Sequence, residues 1–272
     1  MTSLRFVASS PRGFGDLLAR ELRELGAADV RERALGVEFS GALRVAYRAC
    51  LESRVASRVF QVVADFEAAS DAAFYDAVRA IDWRAHVDPS RTLACDFTGK
   101  HPEITHTRFG ALRLKDAICD QLREVTGRRP DIAPDRPAVR VHAHANGPKV
   151  TVSIDLSGEG LHRRGYRTQA GEAPLRENLA AGILLRAGWP EKSRAAAEFL
   201  DPMCGSGTLV IEAGMIAADI APGSRRHYFG FFGWPGHDRQ AWDELKRDAL
   251  ARERRPTLVL RGLDADTSVL AA

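Results

Sequence analysis

The sequence predicts an α+β region over residues 1–157, followed from 158 to 272 by the opening of an α/β domain with a parallel sheet. Three observations carry that expectation. Apolar spacing through residues 4–66 gives the order β-α-β-β-α-β. Residues 139–156 alternate apolar and polar positions through two strands about a tight turn. A short apolar run, Ala195 to Leu200, leads as a strand into a Gly-x-Gly turn at 201–208 and then a helical segment, a unit that can cradle a nucleotide-like ligand.

Residues 4–10 alternate as a strand, and Phe14, Leu17, Leu18, Leu22 and Leu25 share one face of a helix over 13–25 that Gly26 ends. Extended pieces around Val30 and over 37–39 follow, then a helix from 42 to about 53 and a strand over 59–66. This is the order of a ferredoxin-like unit, assigned to residues 1–65. A second unit is assigned to 66–157, with a start near 45 under a wider definition. Residues 71–81 read as a helix, and 92–98 as a strand with Leu93, Cys95 and Phe97 on one face. Ala111, Leu114, Ile118, Leu122 and Val125 keep helical spacing over 109–125, stopped by Gly127-Arg128-Arg129-Pro130. The hairpin follows: Val139, Val141, Ala143 and Ala145 alternate with Arg140, His142, His144 and Asn146. After Gly147-Pro148, Val150, Val152, Ile154 and Leu156 return on one face.

A loop over 157–172 leads to a helix over 174–187 with proline in its first turn. Beyond the Gly-x-Gly turn, residues 222–236 form an aromatic-rich insertion, read as core filling in preference to a platform for bases. A helix over 239–254 and a strand over 257–263 ending at Asp264 complete the pattern, and a further helix is expected to begin at 269–272. Two parallel strands cannot bury both faces of a sheet, and doubly wound domains have more. The third part, 158–272, is therefore read as truncated, a piece of a longer protein.

Hydrophobic residues make up 45% and charged residues 28%, which suits a globular protein. No apolar run approaches the ~20 residues that cross a bilayer, and no secretory leader is evident. Cys50, Cys95, Cys119 and Cys204 are too scattered for a zinc or disulfide framework, so reduced thiols and a cytoplasmic location are expected, with no metal and no membrane. Net charge is only +3, so an RNA-facing side must come from local clusters. Arginine outnumbers lysine 34 to 5, a bias read first as genomic base composition. Arg108, Arg113 and Lys115 flank the start of the helix over 109–125 and are read as phosphate contacts. Arg163, Arg164, Tyr166 and Arg167 combine cations with an aromatic, suiting either RNA contact or packing of the linker against the cofactor domain. His142 and His144 are read as an exposed polar strand face.

The turn itself discriminates among cofactors. A P-loop needs Gly-Lys-Ser/Thr, but Thr208 follows the second glycine. A dinucleotide fingerprint needs a third glycine where Val210 stands, and an acid about 20 residues on. S-adenosylmethionine has no phosphate and tolerates both departures, while its ribose hydroxyls suit a carboxylate at Asp264. The cofactor set is thus Asp201, Pro202, Gly205, Ser206, Gly207, Thr208 and Asp264. Asp201 either orients the loop or touches ligand, and Ser206 and Thr208 either meet the methionine end or cap the helix. Cys204 is read as a packed residue, not a nucleophile.

Asp201-Pro202-Met203-Cys204-Gly205-Ser206-Gly207-Thr208 resembles motif I of the THUMP-associated RNA guanine-N2 methyltransferases. The runs 155–167 (DLSGEGLHRRGYR) and 173–181 (APLRENLAA) resemble the same family. The likeness extends from Leu4 to the last residue and is greatest to the large-subunit rRNA methyltransferase L family, often the front half of a K/L enzyme. It implies a THUMP fold for the second unit and a Rossmann-like (class I) methyltransferase domain for the third. It also implies S-adenosyl-L-methionine as cofactor, structured RNA held by the THUMP unit, and methyl transfer to guanine N2 of 23S rRNA at G2445. The family's Asn/Asp-Pro-Pro-Tyr/Phe motif, which frees the amine lone pair and stacks on the extruded base, does not occur in these residues. No catalytic residue is therefore named, and the isolated chain is expected to transfer no methyl group. A catalytically inactive THUMP module that only binds RNA, and a tRNA guanine-N2 methyltransferase, are the alternatives.

Overall fold

A computed structural model describes residues 3–33, 36–167 and 175–266. The first unit runs β1 (Leu4–Ser9), α1 (Gly15–Glu24), β2 (Ala28–Arg33), β3 (Gly36–Gly41), α2 (Leu43–Glu52) and β4 (Arg58–Glu67). α1 buries Leu17, Leu18 and Leu22, the stripe that its spacing predicts. β1 lies between β3 and β4 and is antiparallel to both, with Phe6 opposite Phe39 on one side and Gln61 on the other. β2 pairs β3, which completes the ferredoxin-like strand order.

The second unit adds α3 (Asp71–Arg79), β5 (Thr92–Lys100), α4 (Thr107–Thr126), β6 (Asp131–Ile132), β7 (Val139–Asn146) and β8 (Lys149–Asp155). Ser70 caps α3 by accepting the Ala73 N–H at 3.1 Å. β7 pairs β8 across the tight turn and runs parallel to β5, with Cys95 opposite Val141. The two units share one sheet. β4 pairs β8 along its length, from Phe60 opposite Asp155 to Glu67 opposite Lys149, giving the order β2-β3-β1-β4-β8-β7-β5-β6. The division expected at 65/66 thus falls inside β4. A single apolar core joins Phe6, Leu18 and Val59 of the first unit to Phe74, Leu114 and Val152 of the second.

The third part comprises α5 (Glu177–Arg186), α6 (Trp189–Arg194), β9 (Phe199–Asp201), α7 (Thr208–Ala217), α8 (Arg239–Ala251) and β10 (Leu260–Gly262). β9 and β10 form a parallel pair, Phe199 opposite Leu260 and Gly262 opposite Asp201. The apolar run expected to be extended from Ala195 begins as a strand only at Phe199. Ala195 N–H still donates to the Lys192 carbonyl at 3.1 Å, and Ala196 adopts φ +57°, so these residues close the end of α6. The proline expected in the first turn of α5 and the helix expected at 269–272 lie outside the described residues. A small second core of Leu184, Trp189, Ala213 and Ile216 covers one side of β9 and β10, while Leu200 and Leu263 remain exposed.

The insertion and α8 do not stay with this small core. Gly223 N–H donates to the Leu51 carbonyl at 2.8 Å, and buried Phe229 and Phe231 stack at 5.3 Å within the main core. Trp242 of α8 lies edge-on to Tyr47 of α2 at 5.9 Å, and Arg44 of α2 donates to Glu244 at 3.2 Å and Asp248 at 3.1 Å. The aromatic insertion is core, as its composition suggested, but the core is the main one that the first and second units share. No helix among the described residues is long and apolar enough to cross a membrane.

Candidate functional site

The turn after β9 bends twice through the left-handed region, at Gly205 (φ +53°) and Gly207 (φ +77°). A side chain at either position would be strained, yet a Cβ on Gly205 would meet no atom within 4 Å. The turn therefore has open space in front of its backbone, as a cradle for a ligand requires. Behind it the packing is close. A Cβ on Gly262 would stand 2.9 Å from Cys204 Sγ, so β10 can approach the turn only as glycine.

The strand pairing brings Asp264 to the turn. Leu263 N–H donates to the Asp201 carbonyl at 2.8 Å, and Cys204 N–H to the Leu263 carbonyl at 2.9 Å. Asp264 Oδ2 then accepts the Gly205 N–H at 2.8 Å, while Oδ1 accepts the Asp266 N–H at 3.0 Å. The N–H groups of Asp266 and Gly205 hold this carboxyl below its ordinary range, so it is a fixed anion with lone pairs to spare. Asp201 Oδ1 accepts the Met203 N–H at 3.1 Å, which is the loop-orienting role of the two considered. Pro202 lies in the same turn. Burial and the carboxylates of Asp201 and Asp264 push the Cys204 thiol up, opposite to what an activated nucleophile needs.

Ser206 and Thr208 do not cap α7. Gly207 is the N-cap residue and no side chain bonds there. Both hydroxyls instead accept from Arg167, Ser206 Oγ at 3.0 Å and Thr208 Oγ1 at 2.9 Å. Arg167 also donates to Glu177 of α5 at 3.0 Å. Arg164 is 2% exposed and donates to Glu212 of α7 at 3.4 Å and to the Leu161 carbonyl at 2.9 Å. Tyr166 donates to the same Glu212 oxygen at 3.2 Å. The linker expectation is therefore corrected. Arg164, Tyr166 and Arg167 pack the linker against the cofactor domain, because their polar groups are consumed there, and only Arg163 is open to solvent. Glu177 and Glu212 are the partners that sequence reasoning missed. Glu212 left one signal, as the lone charge in the apolar helix α7.

The α4 residues also divide. Arg108 is exposed, but Arg113 donates to Asp71 of α3 at 2.6 Å and lies over the Tyr75 ring at 4.5 Å. Lys115 pairs with Asp116 at 2.7 Å. The phosphate-contact reading is corrected for Arg113, which ties α3 to α4, and stays an expectation for exposed Arg108. His142 and His144 do share a strand face, where both ring nitrogens contact Thr98 Oγ1, at 2.9 and 3.0 Å. That face is partly covered: His142 stacks on Phe60 at 4.9 Å.

The fold and the turn together define a class: a ferredoxin-like and THUMP platform joined to the opening of a Rossmann-like methyltransferase domain. Family models agree along the chain, with an RlmL ferredoxin-like domain at residues 5–60, a THUMP domain at 68–155 and an RMKL-like methyltransferase domain at 164–272. The chain belongs to the ribosomal RNA large subunit methyltransferase K/L family. It is 51% identical to the protein of that name from Methylococcus capsulatus over 92% of its own length and 34% of the relative's. The chain thus spans about a third of the length of the curated relatives it matches. Among solved structures it resembles a protein from Listeria monocytogenes described as a predicted N6-adenine-specific DNA methylase. The TM-score is 0.87 at 29% identity, over 100% of this chain and 70% of that one. It also resembles SMU.472, solved complexed with SAH, with TM-score 0.82 at 29% identity, over 100% of this chain and 71% of that one.

Proposed function

We propose that this chain is the RNA-holding and cofactor-binding front part of a methyltransferase that acts on guanine N2 of 23S rRNA, at G2445, in the cytoplasm. S-adenosyl-L-methionine, when bound, supplies an electrophilic methyl group. The observation that carries the cofactor reading is the Asp264 carboxylate, locked to the Gly205 N–H across the β9–β10 pair beside an open Gly-x-Gly turn. The open backbone fits a nucleoside lying against it, and the fixed anion fits ribose hydroxyls as donors. Arg167 donates to both the Ser206 and Thr208 hydroxyls, which leaves each hydroxyl its own O–H to donate to a polar amino-acid end. The solved SAH complex of a protein with 29% identity supports the same cofactor class. The THUMP fold and the rRNA methyltransferase relatives support RNA over DNA as substrate, against the name of the Listeria protein. In this reading the described residues bind and orient, and none is assigned a bond-making role.

The reading is tested by titrating the chain with S-adenosylhomocysteine, NAD and ATP in a calorimeter. Binding is expected for S-adenosylhomocysteine alone. Asp264→Ala should weaken it at least about tenfold, the size of one lost charge-assisted hydrogen-bonding partner. Binding of NAD in preference, or equal affinity in the variant, sinks the assignment.

A further inference from the structure

A cleft of about 1020 Å³ opens on the sheet where the first unit, the second unit and the linker meet. Five arginines line it from five separate places: Arg58 of β4, Arg136 before β7, Arg140 of β7, Arg163 of the linker and Arg176 at the start of α5. Arg140 alternates with buried Val139 and Val141, so its guanidinium emerges on the face away from the core. Tyr228 is also in the wall. It donates to the Pro137 carbonyl at 2.8 Å, and Arg136 lies over its ring at 5.7 Å.

Three carboxylates share the cleft: Asp96, Asp135 and Glu159. Glu159 is divided between Arg136 at 3.2 Å and Arg163 at 3.5 Å, and Arg140 donates to Asp96 at 2.8 Å. Arg58 pairs with buried Asp155. Arg136 and Arg163 keep 69% and 68% of their side chains exposed, so sharing one carboxylate leaves most of their donors free. Arg176 is exposed and makes no ion pair or side-chain hydrogen bond among the described residues. With Asp155 behind Arg58 counted, five arginines face four carboxylates, so the cleft carries one positive charge in excess and unused guanidinium donors, which suits a polyanion.

We infer that this cleft, and not the outer face of α4, grips the RNA substrate, and that it takes an unpaired stretch of a few nucleotides. The inference rests on the reading of the chain as an RNA-handling protein. Its size is near that of sites for drug-sized ligands, roughly 300–1,000 Å³, which is too confined for a duplex. Cationic grooves with aromatic walls are what single strands use, whereas A-form duplexes are read across broad surfaces. Position supports it as well. Arg176 precedes Glu177, which Arg167 joins to Ser206 and Thr208 of the cofactor turn. Arg163, next in sequence to the Arg164 that bonds Glu212 of α7, lines the same cleft. An RNA strand held there is next to the elements that carry the cofactor turn.

The experiment is fluorescence anisotropy with a labelled single-stranded RNA ten-mer and a duplex of the same length. It uses the full chain, an Arg163→Glu/Arg176→Glu double variant, and Arg108→Glu. The wild type is expected to prefer the single strand. The double variant should lose at least tenfold in affinity and Arg108→Glu less than threefold. The slope of log K against log salt should shrink by about 1.4 in the double variant, since each released phosphate contact contributes roughly 0.7 for single strands. Equal affinity in the double variant, or a large loss confined to Arg108→Glu, overturns the cleft while leaving RNA handling intact. Tighter binding of duplex overturns the unpaired-segment claim. Failure of the wild type to bind either RNA overturns the parent reading instead. If the double variant melts lower than wild type, Arg163→Ala/Arg176→Ala replaces it, with an expected loss of at least threefold, and equal affinity there overturns the cleft in the same way.

Discussion

At the scale of single residues, Arg164 and Glu212 show how much a buried charge depends on its partner. Both are at most 2% exposed, and burial pushes the Glu212 carboxyl up, while Arg164, Arg54 and Tyr166 pull it back. Removing one partner leaves the other charge in the interior, which typically costs about 3–5 kcal/mol, whereas replacing both with apolar groups is often near neutral. Arg164→Met should therefore lower the urea unfolding free energy by about 3 kcal/mol or more, and Arg164→Met/Glu212→Leu should recover part of it, since Arg54 then loses the counter-charge of Glu212. A double variant as unstable as the single would show that the pair is not the source. His142 gives a pH-dependent counterpart. Burial first, and His144 second, lower its pKa from 6.5 to about 4. Between those values the unfolded chain takes up a proton that the native chain refuses. The contribution of His142 is thus fully present above about pH 6.5 and lost as pH falls toward 4, by up to about 3 kcal/mol. Comparing urea midpoints at pH 7 and pH 4.5, the drop should be smaller in His142→Gln than in wild type.

At the scale of elements, α2 and α8 form the joint between the first unit and the third part. Tyr47 accepts the Asp238 N–H at 2.9 Å, sits 2.8 Å from His237 Nδ1, and packs against Phe231 at 4.5 Å. Trp242 meets Phe229 at 4.8 Å and Phe231 at 5.0 Å, so one indole fills the space that the insertion leaves. Trp242→Ala should cost about 3–5 kcal/mol, and a calorimetric scan should show the whole main core melting earlier. An unchanged main transition would mean that α8 merely rests on the surface. The hydrophobic spacing of α8 was readable, since Trp242, Leu245 and Ala249 share its buried face. Which element that face meets was not, because spacing gives a direction around a helix axis and no address. The same limit applies to α4, whose charges looked alike in sequence until α3 claimed Arg113.

At the scale of the whole molecule, the chain builds one eight-stranded platform and sets a two-stranded opening of a second sheet beside it. β4 is the spine of that arrangement, pairing β1 on one edge and β8 on the other. The linker residues 158–167 pass between this platform and the cofactor turn, with Glu159 held by Arg136 on one side and Arg164, Tyr166 and Arg167 bonded to the third part on the other. The sequence alone determined the helix and strand faces, the hairpin, the Gly-x-Gly turn and the acid that follows the next strand. These depend on periods of 2 and 3.6 residues and on backbone angles that neighbours in the chain enforce. Only the tertiary structure decided that two units share a sheet, that the aromatic insertion returns to the main core, and that Arg164 is buried while Arg163 lines a cleft. Those outcomes rest on partners far apart in sequence, Arg164 with Glu212 at a separation of 48 and Arg44 with Asp248 at 204. Contacts of that range are fixed by the packing of complete elements, which no local pattern of residues encodes.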